Sequence, residues 1–385
     1  MKTRAVAFAC CTMLSLAACN TDQATQASPD ELPQLTFGRF PAPRPAPRFV
    51  ATATNAVAGN VVLFMTRSAD GSLGAPSSFP TGGTGSGGGL GNQAGIAVDA
   101  YAMHLYAVNA GSNTISVFSI EQSGLVLEQT IPSGGTQPIS LAVSDELLYV
   151  LNDGGAANIS GFRIRRNGQL DAIANSTRPL TANVPDAAQI GFNRSERRLI
   201  VTEKATNNIV TFRLDRWDRP EAPIVTASNG ATPFGFYVSE RRGDLIVSEA
   251  FGGAVDASAV SSYKLLRGIP QVITASAPTT ESAACWIALS GDEKFAYTSN
   301  TASNTISGYT LGQDGSLKLL DADGVTARTG AGPIDLATRD GLDFLYSLDR
   351  VGGQISFYYI TGDGALRPLG VAGGLPTSVN GLVVH

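Results

Sequence analysis

Leu105-Tyr-Ala-Val-Asn-Ala-Gly-Ser-Asn-Thr-Ile-Ser-Val-Phe118 is the stretch from which the fold is read. An apolar run closes on Asn109, Ile115 follows six residues later, and Phe118 nine residues later. Two short runs rich in β-branched and aromatic residues, separated by a small polar turn, describe a pair of antiparallel strands. The pattern recurs along the chain. Phe295–Asn300 is followed by Ile306 and Tyr309, Leu199–Glu203 by Ile209 and Phe212, and Phe344–Asp349 by Ile355 and Tyr358. Asn55 with Val61 and Phe64, Asn152 with Ile159 and Phe162, and Glu249 with Val260 and Tyr263 complete the set; the last two copies are stretched by one and five residues. The strand-end markers are therefore Asn55, Asn109, Asn152, Glu203, Glu249, Asn300 and Asp349, spaced 43 to 54 residues apart. That period is the size of a four-stranded propeller blade.

The other parts of a blade flank each copy. Apolar strands precede several markers, as in Ile139–Val143, Phe234–Val238 and Ile334–Ala337. Asp70-Gly71, Asn167-Gly168, Asp314-Gly315 and Asp363-Gly364 follow the aromatic strand and predict tight two-residue hairpins. The first copy lacks a preceding strand, and the last is followed by a surplus one, Asn380–Val384. The prediction is an all-β, seven-bladed β-propeller of four-stranded antiparallel blades, with the C-terminal strand closing the ring so that no sheet edge stays open. The seven repeat aromatics are assigned to the core between blades. Composition agrees: 43 glycines, 15% charged and 43% hydrophobic residues suit a turn-rich β protein with a substantial core.

The N-terminus reads as targeting sequence. Lys2 and Arg4 precede an apolar stretch, Ala5 to Leu16, that is too short to span a bilayer. Leu16-Ala-Ala-Cys19 resembles a bacterial lipoprotein signal, in which Cys19 would be lipidated; an ordinary cleaved signal is the alternative. The expected organisation is a signal peptide over 1–18, a Pro-rich tether over 19–47 and the propeller over 48–385. Removal of residues 1–18 leaves 25 basic and 32 acidic residues, a net charge of −7, and one unpartnered cysteine, Cys285. Such a charge offers no footprint for nucleic acid or anionic lipid, so membrane attachment is expected through the lipid alone. The expected location is the periplasmic side of a membrane or the cell surface, as a monomer.

Copies such as Leu105–Phe118 resemble the repeat of the seven-bladed propeller lactonase family, which includes 6-phosphogluconolactonases and carboxymuconate-lactonising enzymes. The resemblance covers roughly residues 49 to 385 and implies lactone hydrolysis at the mouth of the central channel. The family's enzymes carry an Arg-His pair where an inner strand begins and a Glu just after the strand-end Asn. Here the first slots read Ile139-Ser140, Ala188-Gln189, Phe234-Gly235, Cys285-Trp286 and Ile334-Asp335, and the second read Ala110, Asp153, Lys204, Ala250, Thr301 and Arg350. No catalytic residue carries over from the family to these positions.

The remaining chemistry is sparse. His104 and His385 are the two histidines, both expected at exposed positions, which speaks against a Ser-His-Asp triad or a His-ligated zinc. Cys285 reads as a buried, inert thiol. The glycine-rich run Gly82 to Gly91 lacks the Gly-Lys-Ser/Thr ending of a phosphate loop and reads as a flexible connection between blades. The marker ring is left as the candidate site. Glu203 and Glu249, in successive blades, would act as base or as ligands of a divalent cation such as calcium, since no other cofactor is evident. Asn300, Asp349, Asn109 and Asn152 would assist, with Gln189, Trp286 and Asp335 reaching the same face and Trp286 stacking on a sugar ring. Turn-capping is the competing role for the Asn residues. The expected ligand is a sugar-type or other small lactone; the alternative is a non-catalytic propeller that grips a glycan, peptide or envelope protein.

Overall fold

A computed structural model describes residues 47–385 apart from Asp340. The signal segment, Cys19 and the tether up to residue 46 lie outside the described residues. Seven antiparallel sheets make up the ring; in blades 2 to 7 the first strand is innermost, and in blade 1 the innermost strand is the last of the chain. The inner strands of blades 2 to 7 are Ile96–Val98, Thr136–Val143, Ala187–Phe192, Pro233–Val238, Ala284–Leu289 and Pro333–Ala337. Blades 3 and 6 add a short fifth strand against their third.

Blade 1 is completed by the chain's end, as expected. Asn380–Val384 pairs with Phe49–Ala53, Val383 opposite Ala51, and Phe49 and His385 exchange both backbone hydrogen bonds at 3.0 and 2.8 Å. Side chains carry the same closure. Second-strand tyrosines donate their hydroxyls to a turn carbonyl of the next blade: Tyr106 to Gly168, Tyr297 to Gly364, and Tyr346 across the seam to Gly71. The seven repeat aromatics are buried in the core, each at 4% exposure or less. Burying each contributes about 1.5–3 kcal/mol relative to exposure.

The hairpins differ in one detail from the two-residue turns expected. Ser68 donates to the Ser72 carbonyl and Gly71 to that of Ser68, so three residues lie between the paired positions. Arg165–Gln169, Gly312–Ser316 and Thr361–Ala365 repeat this geometry, with a left-handed glycine at φ between 77° and 90° last in each loop. The Asp-Gly signal identified the turn, but its glycine closes a three-residue loop instead of half of a two-residue one.

Candidate functional site

The markers end the second strands (Asn55 just beyond its strand, Asn152 just inside), and all seven are buried. Their side chains are engaged by neighbouring backbone and side-chain groups. Asn109 donates to the hydroxyls of Thr114 and Ser116, and Asn300 does the same with Thr305 and Ser307. Asp349 accepts from Ser347, Gln354, Ser356 and the Gly330 amide. Glu249 accepts from Gly230 N at 2.8 Å, Ser261 Oγ at 2.6 Å and Ser276 Oγ at 2.6 Å, reaching outward across the third and fourth strands of its own blade. Glu203 accepts from Thr181 N and Oγ1 and from Thr206 Oγ1. Asn152 donates to Asn158 Oδ1.

The convergence expected of Glu203, Glu249, Asn300 and Asp349 at the channel is therefore not how the side chains run. Among the described residues no group of three or more His, Cys, Asp or Glu gathers to hold a metal ion. The reason is local. A residue that ends a strand lies beside the first residues of the next strand, and in five blades these include a serine. Ser116, Ser160, Ser261, Ser307 and Ser356 each stand two residues before the repeat aromatic. That serine was the available sequence signal for buried struts.

The inner strands use polar side chains differently. Five of them bulge just after they begin, at Pro138/Ser140, Ala187/Gln189, Pro233/Phe236, Ala284/Trp286 and Pro333/Asp335. Residues after the bulge then bond to the next blade. Ser140 Oγ accepts from Ile190 N at 3.1 Å and Gln189 Oε1 from Phe236 N at 2.7 Å, and Asp335, at the same position in blade 7, accepts from Leu336 N at 3.0 Å. Gln189 and Asp335 thus belong to a belt around the channel wall.

At blade 5 the belt position is Gly235, and a side chain from elsewhere takes its place. Gln93 Oε1 accepts from Ile287 N at 3.2 Å, and a Cβ on Gly235 would lie 2.0 Å from that oxygen. Gln93 lies two residues beyond the glycine-rich run. Instead of a free connection, residues 82–95 form a plug across the channel on the marker face. Asn55 grips its base through Ser86 N at 2.9 Å and Gly88 O at 2.7 Å. Further along, Gly91 O accepts from Lys204 Nζ at 2.5 Å, Asn92 O from Trp286 Nε1 at 2.7 Å, and Ala94 O from Leu141 N at 2.8 Å. Trp286, expected to be open for stacking, is 5% exposed beneath it. Cys285 beside it is buried as expected, its thiol pushed up to about 12 by desolvation. His104, expected at the surface, is buried with Nδ1 on Asp99 Oδ2 at 2.7 Å.

Beyond the plug the channel widens into a cavity of about 510 Å³, a size that suits a small ligand. Its walls come from the inner strands of blades 2, 5, 6 and 7 and the closing strand, and Gln93 and Ala94 form one side. Asp99, Glu240, Thr338 and Arg339, where inner strands end, put its mouth on the face opposite the markers. Asp335 is its buried polar group. Oδ1 is held by Leu336 N at 3.0 Å, whereas Oδ2 has no partner. Desolvation raises the carboxyl well above the usual carboxylate range, more than its backbone hydrogen bonds lower it. The unpartnered Oδ2 is buried within the cavity wall. A recess of about 600 Å³ around Trp217 is a surface furrow on blade 4, away from the channel.

The family model described as lactonase, seven-bladed β-propeller, matches residues 53–185, the first three blades. The expected resemblance to the seven-bladed lactonase propellers holds. A Bacteroides fragilis protein assigned provisionally as a 6-phosphogluconolactonase superposes with a TM-score of 0.70 at 15% identity, covering 88% of this chain and 98% of that one. The periplasmic gluconolactonase of Pseudomonas aeruginosa superposes with a TM-score of 0.69 at 14% identity, covering 87% and 98%. Identities this low carry the fold alone. Among curated proteins, no sequence matches this chain.

Proposed function

We propose that this protein is a lactonase-type hydrolase of the cell envelope, exported and held by lipid on Cys19, that opens a small uncharged lactone in the channel cavity. The observation that carries the reading is Asp335, a buried carboxyl in the wall of that cavity whose Oδ2 has no partner. A neutral carboxyl in an apolar wall donates a hydrogen bond without carrying charge, the state a general acid needs. Water adds to the lactone carbonyl carbon, the ring C–O bond breaks, the ring oxygen takes the Asp335 proton, and the proton shed by the water returns to Asp335. Lactone and water thus become one hydroxy acid. Glu203, Glu249 and Asp349 are struts in this reading, because their oxygens are already committed to hydroxyls and amides, and no cation is assigned to them.

The test is a hydrolysis screen of sugar lactones and acyl-homoserine lactones, with and without calcium, on wild type, Asp335→Asn and Asp335→Leu. Asn keeps both the acceptor for the strand amides and a donor for the cavity, so binding should survive while turnover falls ~10²–10⁴-fold. Leu should lose both. A flat screen, or equal turnover by Asp335→Leu, overturns the reading. The plug over the marker-face mouth favours a second reading, a propeller that holds its ligand without chemistry. A flat screen with saturable binding would select it.

A further inference from the structure

The hairpins that join third and fourth strands in blades 3, 4 and 5 form one continuous strip at the rim of the disc. In blade 4, Glu203 pairs with Asn208 and Arg198 with Arg213, so the third strand runs away from the markers. Its hairpin, Asp215–Arg219, therefore stands on the face that holds the cavity mouth, and the same register holds in blades 3 and 5. The tip of this hairpin is Trp217, 49% exposed, with the Arg216 guanidinium 3.8 Å and that of Arg219 4.5 Å from the ring centre. Blade 3 adds Arg165 and Arg166, and blade 5 adds Arg267 between the exposed Leu266 and Ile269. The tips are joined from blade to blade: Arg163 Nη2 lies 2.6 Å from Asp218 Oδ2, and Thr211 Oγ1 donates to Gly268 O at 2.7 Å.

Arginine outnumbers carboxylate in this strip. Asp218 is shared by Arg163 and Arg197, Asp215 faces Arg219 at 3.6 Å, and Asp171 is taken by Arg165. Arg166, Arg216 and Arg267 are exposed and form no ion pair among the described residues. Asp145, Glu146 and Glu196 gather in turns that lead into second strands, nearer the channel. The overall charge of −5 conceals this local surplus.

An exposed indole and aliphatic side chains at protruding tips, set among unpaired arginines, match the headgroup layer of an anionic membrane. Indole rings settle at headgroup level, and each arginine near the surface gains from its negative potential. The chain also enters the propeller on this face: Phe49 lies at the end of its strand away from Asn55, and His385 Nδ1 donates to Pro47 O at 3.1 Å.

We infer that the hairpin tips of blades 3 to 5 are a docking surface for anionic lipid headgroups, with Trp217 in the headgroup layer and Arg166, Arg216 and Arg267 against the phosphates. The surface takes no part in the chemistry at Asp335 and needs no lipid on Cys19, so its test is independent of both.

Residues 20–385 contain the whole closed ring and carry no lipid, so co-sedimentation of this form with vesicles reads the surface by itself. Vesicles of equal parts phosphatidylglycerol and phosphatidylcholine should bind it, and phosphatidylcholine alone should not. Binding should shift tryptophan emission to the blue, a shift that Trp217→Ala abolishes, and should weaken as salt rises. Arg216→Ala should weaken binding about fivefold, and Arg166→Ala with Arg216→Ala about 25-fold. These side chains are exposed, and circular dichroism checks each fold. Equal binding to both kinds of vesicle, binding to neither, or unchanged binding by the double variant overturns the inference. Capture by heparin without binding to vesicles also overturns it, in favour of an anionic glycan.

Discussion

Glu249→Ala separates a strut from a catalytic acid. The substitution removes the acceptor of three short hydrogen bonds, from buried Gly230 N–H and Ser261 O–H and half-buried Ser276 O–H, and of a longer one from Tyr263 O–H at 3.4 Å. The two serine hydroxyls can turn to other acceptors, so each forfeits about 1 kcal/mol, while the fixed amide left unsatisfied costs ~1–3 kcal/mol. Relief from burying the glutamate offsets part of this, which leaves a destabilisation of about 3 kcal/mol. Glu249→Gln retains one carbonyl oxygen for Gly230 and Ser261, and its amide can donate to Ser276, so it should cost about 1 kcal/mol or less. Urea denaturation followed by tryptophan fluorescence gives both numbers, with an unchanged slope showing that the unfolded state is not altered. Lactone turnover by Glu249→Gln should stay within about twofold of wild type, because no group that touches substrate has changed. If both variants unfold within about 0.5 kcal/mol of wild type while Glu249→Gln has lost turnover, the strut assignment is refuted and Glu249 belongs to the chemistry.

Asp335 makes stability depend on pH. Its folded carboxyl is raised above the unfolded value, so its stabilisation is complete below the unfolded pKa and is lost as pH rises through the folded one. Chemical denaturation from pH 4 upward should show wild type weakening relative to Asp335→Asn; parallel curves would contradict a neutral carboxyl. Deleting residues 380–385 removes the strand paired with Phe49–Ala53 and should leave a chain that proteases cut rapidly within blade 1, whereas wild-type resistance would mean the ring closes without it. Cys19→Ser should abolish lipid labelling and release the protein in soluble form, and labelling that survives would end the lipoprotein assignment.

The propeller was legible because each blade repeats a strand, a polar end and an aromatic in one register, and every repeat aromatic proved to be core. The site was less legible, for two physical reasons. A marker at a strand end can turn toward the channel or across its own sheet. Only the serines two residues before five of the seven aromatics point to the second. The plug leaves little trace in the sequence pattern, because its glycines carry no side chains and many of its contacts run through backbone carbonyls, as on Lys204, Trp286 and Leu141. Its one sequence trace is a pair of departures that match: Gly235 breaks the polar belt, and Gln93, the residue that fills the gap, lies in a run otherwise poor in long side chains. Asp335 was placed among the binding residues from its position on an inner strand. Its buried, unpartnered Oδ2 sits beside the bulge at Pro333/Asp335, which no local sequence feature announces.

The most direct measurement is a crystal structure of the protein soaked with a δ-lactam, which keeps the ring and carbonyl of a lactone but resists hydrolysis. The expected result is the lactam in the 510 Å³ cavity with its carbonyl oxygen within hydrogen-bonding distance of Asp335 Oδ2. A lactam bound elsewhere, with Asp335 Oδ2 still unpartnered, would contradict it.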